Sequence, residues 1–154
     1  MLSRMIPEFG PTSGRLPAGE HAASWEELVA RTGFSTIRRR QLEGLLKAAR
    51  LLASVGVTHI FVDGSFATKK HNPGDYDACY VDDGLDFSAI DPVLRDFSDR
   101  RKAMKAAYGG ELFPANSAAN ELGEPFRTFF QTTSEGRPKG VIVLDLSTLP
   151  DDQD

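Results

Sequence analysis

The chain has 154 residues, of which 40% are hydrophobic and 26% are charged, and its formal charge at pH 7 is −4. These values are typical of one globular domain and exclude a fibrous or disordered chain. The single cysteine excludes an internal disulfide framework and a cysteine-rich zinc site, and the acidic balance does not suit a protein that wraps DNA through phosphate contacts.

The N-terminal residues 1–22 are rich in proline and glycine, which break helices, so we expect an extended arm there. A single domain is expected over residues 23–150. No apolar stretch approaches the roughly 18 residues of a membrane span, and the N-terminus lacks the apolar segment of a secretory signal. We therefore expect a cytoplasmic protein without a membrane partner.

The domain begins with two helix signals within residues 24–55. Ser24 and Glu27 have the spacing of a capping box, which predicts the start of a short helix. Leucine and alanine then recur at helical spacing, which predicts a second helix. The basic run from Arg38 to Arg40 is interpreted as part of the polar face of that helix, with a nucleic-acid or protein contact as the alternative.

The rest of the domain, residues 57–148, mixes strands with helices, so the fold class predicted is α+β. Phenylalanines at 126, 129 and 130 follow helical spacing, and we interpret them as core residues rather than as a base-stacking platform. Runs of β-branched and aromatic residues predict strands, and one longer segment is helical in two pieces. The strands are expected at 59–62, 75–81 and 141–146, and the helical segment at 88–107.

Two aspartates in the second predicted strand carry the chemical argument. Asp75 and Asp77 are two residues apart, so in a strand their side chains project from the same face. Two nearby carboxylates repel each other unless a cation lies between them. Mg²⁺ is the usual cation for such a pair, because it prefers oxygen ligands and completes its shell with water and substrate phosphates.

Just before this pair, a predicted strand ends at Gly64-Ser65. Glycine allows a phosphate to approach the backbone, and exposed N–H groups with a serine hydroxyl form a cradle for an anion. Thr68, Lys69 and Lys70 follow in the same loop and are candidates for contacts to further phosphate oxygens. A phosphate cradle beside a carboxylate pair is the minimum equipment for phosphoryl or nucleotidyl transfer.

A hydrophobic strand, Gly64-Ser65, nine further residues and then Asp75-Tyr76-Asp77 resemble the signature of the nucleotidyltransferase superfamily, which has a DNA polymerase β-like palm. The chain looks most like the minimal nucleotidyltransferases of bacteria, often encoded beside a toxin. Its full length also resembles a group of small uncharacterised bacterial and phage proteins. The resemblance implies a mixed sheet flanked by helices, with the palm core at 57–148 and the helices at 24–55 as an N-terminal extension.

The resemblance also implies roles for particular residues. Gly64 and Ser65 would hold the phosphates of a nucleoside triphosphate (NTP), and Asp75 and Asp77 would bind Mg²⁺, in a two-metal site if the protein is active. The superfamily usually has a third carboxylate on a later strand. Asp145, at the end of an apolar run, is the candidate for this catalytic metal ligand, and Glu111 is the alternative. We expect the carboxylates of Asp75, Asp77 and Asp145 to converge.

The implied reaction moves a nucleoside monophosphate from an NTP to a hydroxyl of a protein, a tRNA or a small molecule, in a toxin–antitoxin or phage-related setting. One alternative is a catalytically inactive interaction or antitoxin module of the same fold, because the loop lacks the arginine that minimal members often carry after Gly-Ser. Another is an RNA-binding domain that uses the basic clusters near residues 38–40 and 100–105. A plain β-hairpin with exposed acids is the simplest alternative.

Overall fold

The computed structural model describes residues 6–151, so residues 1–5 of the predicted arm and the last three residues lie outside the described part. Within these described residues, one mixed five-stranded sheet is combined with four α-helices, which confirms the α+β class. The strands are β1 Gly19–Ala23, β2 His59–Asp63, β3 Tyr76–Tyr80, β4 Gly110–Pro114 and β5 Gly140–Asp145. The helices are α1 Trp25–Thr32, α2 Thr36–Ser54, α3 Ser98–Tyr108 and the short α4 Phe126–Phe129.

The order of strands in the sheet determines which strand ends meet. The order is β1-β5-β2-β3-β4, with β2 antiparallel to both β5 and β3, while β4 is parallel to β3 and β1 is parallel to β5. The end of β2 therefore lies beside the starts of β3, β4 and β5. Residues from four separated parts of the sequence therefore meet at this end of the strands.

The two faces of the sheet are covered differently. Side chains alternate between faces along each strand, so Ile60 and Val62 point to one face and Phe61 and Asp63 to the other. The first face carries the larger core, which includes buried side chains of α1, α2 and α3. The second face carries a smaller cluster around Phe61 and Cys79, which Phe130 covers just after α4.

The N-terminal segment is more ordered than an extended arm. Residues 19–23 form β1 at one edge of the sheet, and Ile6 and Leu16 are buried in the larger core. Arg15 forms an isolated antiparallel bridge with Thr68. The predicted boundary at residue 22 is therefore corrected, because proline and glycine at 7–19 permit an irregular but packed path.

The helical predictions hold in part. The capping box of Ser24 and Glu27 is present at the start of α1. The expected helical segment at 88–107 is divided instead into two single turns, Phe87–Ala89 and Pro92–Arg95, followed by α3. No helix within residues 6–151 is long and apolar enough to cross a membrane.

Candidate functional site

Three carboxylates lie side by side where β2 ends. Asp63 of β2 is in register with Asp77 of β3, and Asp77 is in register with Glu111 of β4. Residues in register on neighbouring strands project from the same face of a sheet, and neighbouring strands are about 4.8 Å apart. We call these three residues the acidic row. The row lies on the second face, opposite the larger core, and two side chains of α3 reach Glu111 at the end of the row.

Gly64 allows the acidic row to close. Its φ is +79°, and a Cβ atom there would lie 2.5 Å from Oδ2 of Asp77. Any larger residue would strain the backbone and push Asp77 away. Gly64 was predicted to make room for a phosphate, and in the structure it makes room for a carboxylate.

Asp77 is the carboxyl group that the row perturbs most. Burial, together with the negative charges of Glu111, Asp63 and Asp75, raises the pKa of Asp77 to about 7. Side-chain hydrogen bonding to Glu111 also favours the protonated form of Asp77 and raises its pKa. Within the described residues, no lysine or arginine forms an ion pair with Asp77. Asp77 is therefore the member of the row most favourable to an added cation.

The two outer members of the row are paired with cations of the protein itself. Nζ of Lys139 lies 3.0 Å from Oδ2 of Asp63. Oε2 of Glu111 lies 3.0 Å from Nη2 of Arg101 and 3.2 Å from Nζ of Lys105. Burial raises the pKa of Asp63 despite Lys139. Burial acts the same way on Glu111, but hydrogen bonds from its two cations outweigh it and lower the pKa of Glu111.

The oxygen ligands of the acidic row suit Mg²⁺, and a cation there would relieve the repulsion at Asp77. Within residues 6–151, however, no three His, Cys, Asp or Glu side chains are arranged so that they could hold a metal ion. The outer carboxylates are instead directed to Lys139, Arg101 and Lys105. The row therefore fits a Mg²⁺ bound by one or two carboxylates and completed by phosphates and water, which is the usual Mg²⁺ arrangement, rather than a cage of protein ligands.

The structure brings Asp75 and Asp77 together but places Asp145 elsewhere. Asp75 directly precedes β3, and its charge raises the pKa of Asp77. Asp145 is in register with His59 at the opposite end of β2, about 13 Å along the strand from Asp63. The expected convergence is therefore corrected. Asp145 lies on the correct face of the sheet, but β5 runs antiparallel to β2, so the start of β5 and not its end adjoins the acidic row.

Asp145 has a local structural role at this other end. Its Oδ1 accepts hydrogen bonds from the backbone N–H of Ser147 at 2.9 Å and from the Ser147 hydroxyl at 2.7 Å. These hydrogen bonds lower the pKa of Asp145. Glu111, the alternative considered from the sequence, takes the third position instead. Asp63 was missed, although it directly precedes Gly64 at the end of an apolar strand, where a buried acid indicates a site.

The residues predicted to contact phosphates are distributed differently from the expectation. Nζ of Lys69 donates to the backbone carbonyl of Pro11 at 3.0 Å, and the Lys70 side chain is exposed. Thr68 lines a cavity of about 290 Å³ beside the acidic row. Ser65 lies in the helical turn Gly64–Ala67, and its hydroxyl is outside the described part of the structure.

The cations of this cavity come from parts of the chain that the sequence analysis did not select. Arg15 of the N-terminal segment and Lys139, which precedes β5, line it together with Gly64 and Asp63. Lys139 belongs to the sequence Gly-Arg-Pro-Lys-Gly at residues 136–140, just before β5. It reaches the acidic row because β5 pairs antiparallel with β2. The cavity therefore offers two cations and a backbone glycine next to a carboxylate.

A buried arginine shapes the loop between β2 and β3. Arg38 is fully buried, and its guanidinium donates to the carbonyls of Phe66 at 2.8 Å, Thr68 at 2.6 Å and Lys70 at 2.6 Å. Burial lowers the pKa of Arg38 to about 10. The prediction that Arg38 belongs to an exposed polar face is wrong, because the loop carbonyls turn toward α2 and need donors.

Two neighbours of Arg38 extend this contact. Ser35 Oγ donates to the carbonyl of His71, and Gln41 Nε2 donates to the carbonyl of Pro73. The start of α2 therefore binds the loop along most of its length and holds the backbone that leads into Asp75 and Asp77.

Comparison with known proteins gave one match. Residues 7–145 match the sequence model of DUF6932, described as a family of unknown function. Neither the curated proteins nor the solved structures contain a match to the chain.

Proposed function

The chain belongs to DUF6932, and because this family has no assigned function, we propose from the site alone that the protein is a Mg²⁺-dependent nucleotidyltransferase of the nucleotidyltransferase fold. The observation that carries the proposal is the acidic row beside Gly64, with Asp77 unpaired by any lysine or arginine among the described residues. A strand that ends in a glycine turn beside in-register carboxylates is the arrangement that this chemistry needs.

The residues of the site have distinct tasks in this proposal. Asp77 and Asp63, on either side of the Gly64 turn, would hold Mg²⁺, which supplies charge neutralisation for the triphosphate. Arg15 and Lys139 would bind phosphate oxygens in the adjoining cavity. Arg101 would keep Glu111 ionised beside Asp77. The acceptor hydroxyl would lose its proton to water and attack the α-phosphorus. The bond from the α-phosphorus to the oxygen that bridges to the β-phosphorus would break, and pyrophosphate would leave.

Isothermal titration with each of the four common NTPs, with and without Mg²⁺, tests the proposal. Asp77→Asn removes the charge at the centre of the row, and Asp145→Asn is the matched control because Asp145 lies at the other end of β2. We expect Mg²⁺-dependent binding that Asp77→Asn weakens at least about tenfold and Asp145→Asn leaves unchanged. Absence of NTP binding, or equal losses in both variants, would contradict the proposal.

A second candidate function follows from the ion pairs of the outer carboxylates. Lys139, Arg101 and Lys105 neutralise Asp63 and Glu111 without any added metal. Such a row is stable in a protein that has kept the fold as a catalytically inactive interaction or antitoxin module, with a toxin or another protein as its partner. Incubation with labelled NTP and a lysate separates the two, since only an enzyme transfers label to protein or RNA.

The RNA-binding alternative has less support. In the first basic cluster, Arg38 is buried and binds loop carbonyls. In the second, Arg101 and Lys105 are paired with Glu111. These cations are engaged within the protein, so an RNA phosphate would have to compete with existing contacts.

A further inference from the structure

A second cavity, of about 520 Å³, is lined by aromatic side chains. Its volume is in the usual range for small-molecule sites. We call it the phenylalanine pocket, after the four phenylalanines in its lining. The lining includes Phe87, Phe97, Phe113 and Phe126, together with Arg101 and Asp82.

Three of these rings form one nearly parallel stack. The centroids of Phe97 and Phe113 are 5.9 Å apart with planes at 11°, and those of Phe113 and Phe126 are 4.2 Å apart with planes at 6°. Phe87 contributes a fourth ring and is 41% exposed. Phenylalanine rings that line a cavity offer apolar surface on which a flat aromatic ligand can stack. The predicted core role is confirmed for Phe130, and Phe126 packs against the smaller core while it also lines the pocket, whereas Phe129 is 42% exposed and is not a core residue.

The phenylalanine pocket adjoins the acidic row. Phe113 follows Glu111 by two residues on β4, so both project from the same face about 7 Å apart along the strand. Arg101 spans the two sites: its Nη2 is 3.0 Å from Glu111, and its guanidinium carbon is 5.8 Å from the Phe113 ring centroid. A ligand with an anionic end at the row and an aromatic end in the pocket would have continuous contacts.

We propose that the phenylalanine pocket binds the nucleobase of the NTP whose phosphates lie at the acidic row, which rests on the proposed function. The Asp82 carboxylate, which is part of the pocket lining, adds selectivity among the bases. One oxygen of Asp82 accepts from the backbone N–H of Asn116, and a carboxylate has a second oxygen to accept from an exocyclic amino group. Adenine, guanine and cytosine carry such a group and uracil does not. Uracil offers only its ring N3–H as a donor, so we expect the pocket to bind UTP more weakly than ATP.

Titration in the presence of Mg²⁺ with ATP, UTP and inorganic tripolyphosphate tests the inference. Phe87→Leu and Phe126→Leu remove rings from the pocket while they keep apolar side chains. Phe129→Leu is the matched control, because Phe129 is 42% exposed and contacts Phe126 but does not line the pocket. Thermal unfolding of each variant shows that it is folded.

We expect each pocket variant to weaken ATP binding roughly fivefold or more and to leave tripolyphosphate binding unchanged, because stacking acts on the base alone. The control Phe129→Leu should change neither ATP binding nor tripolyphosphate binding. Asp82→Asn should reduce the difference in binding affinity between ATP and UTP. If the pocket variants bind ATP like the wild type, or if ATP binds no more tightly than tripolyphosphate, the inference fails while the proposed function stands. If neither ligand binds, both fail.

Discussion

The Asp77 carboxyl keeps its proton to a higher pH than an ordinary aspartate because it is buried among other acids. Its pKa of about 7 in the folded state exceeds the ordinary value of 3.8, so the folded protein binds more protons than the unfolded chain between these pH values. The raised pKa of Asp63 acts in the same direction. The contribution of these groups to stability is therefore present at low pH and is lost as the pH rises from about 4 to about 7.

This sign leads to a stability prediction for Asp77→Asn. At about pH 8, the variant should be more stable than the wild type by on the order of 2 kcal/mol, because it removes a buried charge next to Glu111 and Asp63. At about pH 5, the free energies of unfolding of the two proteins should differ less. Urea denaturation across this pH range measures the effect. A wild-type pH dependence that persists unchanged in Asp77→Asn would show that another group causes it.

The Arg38 guanidinium is the donor on which the loop depends. Arg38→Met would leave the buried carbonyl of Phe66 and the half-buried carbonyl of Thr68 without this partner. Each unsatisfied buried group costs about 1–3 kcal/mol, so we expect a loss of about 3 kcal/mol or more in the free energy of unfolding. Arg38→Lys should recover only part of the lost free energy of unfolding, because a single ammonium cannot reproduce the guanidinium geometry.

The neighbouring Arg39 provides the control for this prediction. It is exposed, and its guanidinium donates to Gly33 and Thr36 within the surface turn before α2. Arg39→Met should therefore change the free energy of unfolding by less than about 1 kcal/mol. Equal losses for Arg38→Met and Arg39→Met in chemical denaturation would contradict the role given to Arg38.

At the scale of the element, α3 begins with an unusual backbone. Asp99, Arg100 and Arg101 have φ values of 50°, 55° and 60°, which are left-handed conformations that non-glycine residues rarely adopt. Each costs roughly 1–2 kcal/mol. The third of these residues is Arg101, which contacts both Glu111 and the ring of Phe113. Strain of this kind is concentrated where function requires a particular side-chain position.

Glycine substitutions test this backbone directly. Arg100→Gly should raise the free energy of unfolding by about 1 kcal/mol, because glycine adopts a positive φ without steric cost. Lys102→Gly, two residues later and without the left-handed φ, should lower it by about 1 kcal/mol, since glycine is unfavourable within a helix. Thermal and urea unfolding of both variants measure the difference. Destabilisation of similar size in both would mean that the start of α3 is not left-handed in solution.

The elements that the sequence predicted well are those with local signals. The capping box at Ser24 predicted the start of α1, and β-branched runs predicted β2 and β5. β1 was missed because Gly19 and the prolines before it indicate irregular backbone, whereas the strand exists through its pairing with β5. In the segment 88–107, aspartates that cap single turns divided what had been predicted as helix in two pieces.

At the scale of the whole molecule, the site depends on strand order, which has no local signal. The spacing of Asp75 and Asp77 was visible in the sequence, and so was the glycine before them. The third carboxylate was assigned to Asp145 because it ends the clearest apolar run, but antiparallel pairing places that end away from the row. Register, not residue type, selects Glu111 and brings Lys139 to Asp63.

The parallel pairing of β3 with β4 affects the order of events in folding. A parallel pair needs a long crossover, here through α3, and such non-local pairings form slowly. Asp63 and Asp77 come from an antiparallel pair joined by one loop, whereas Glu111 joins them only when β4 docks. A partly folded chain with β2 and β3 paired but without β4 therefore has an incomplete row, so we expect Asp77 to take up its proton as β4 docks.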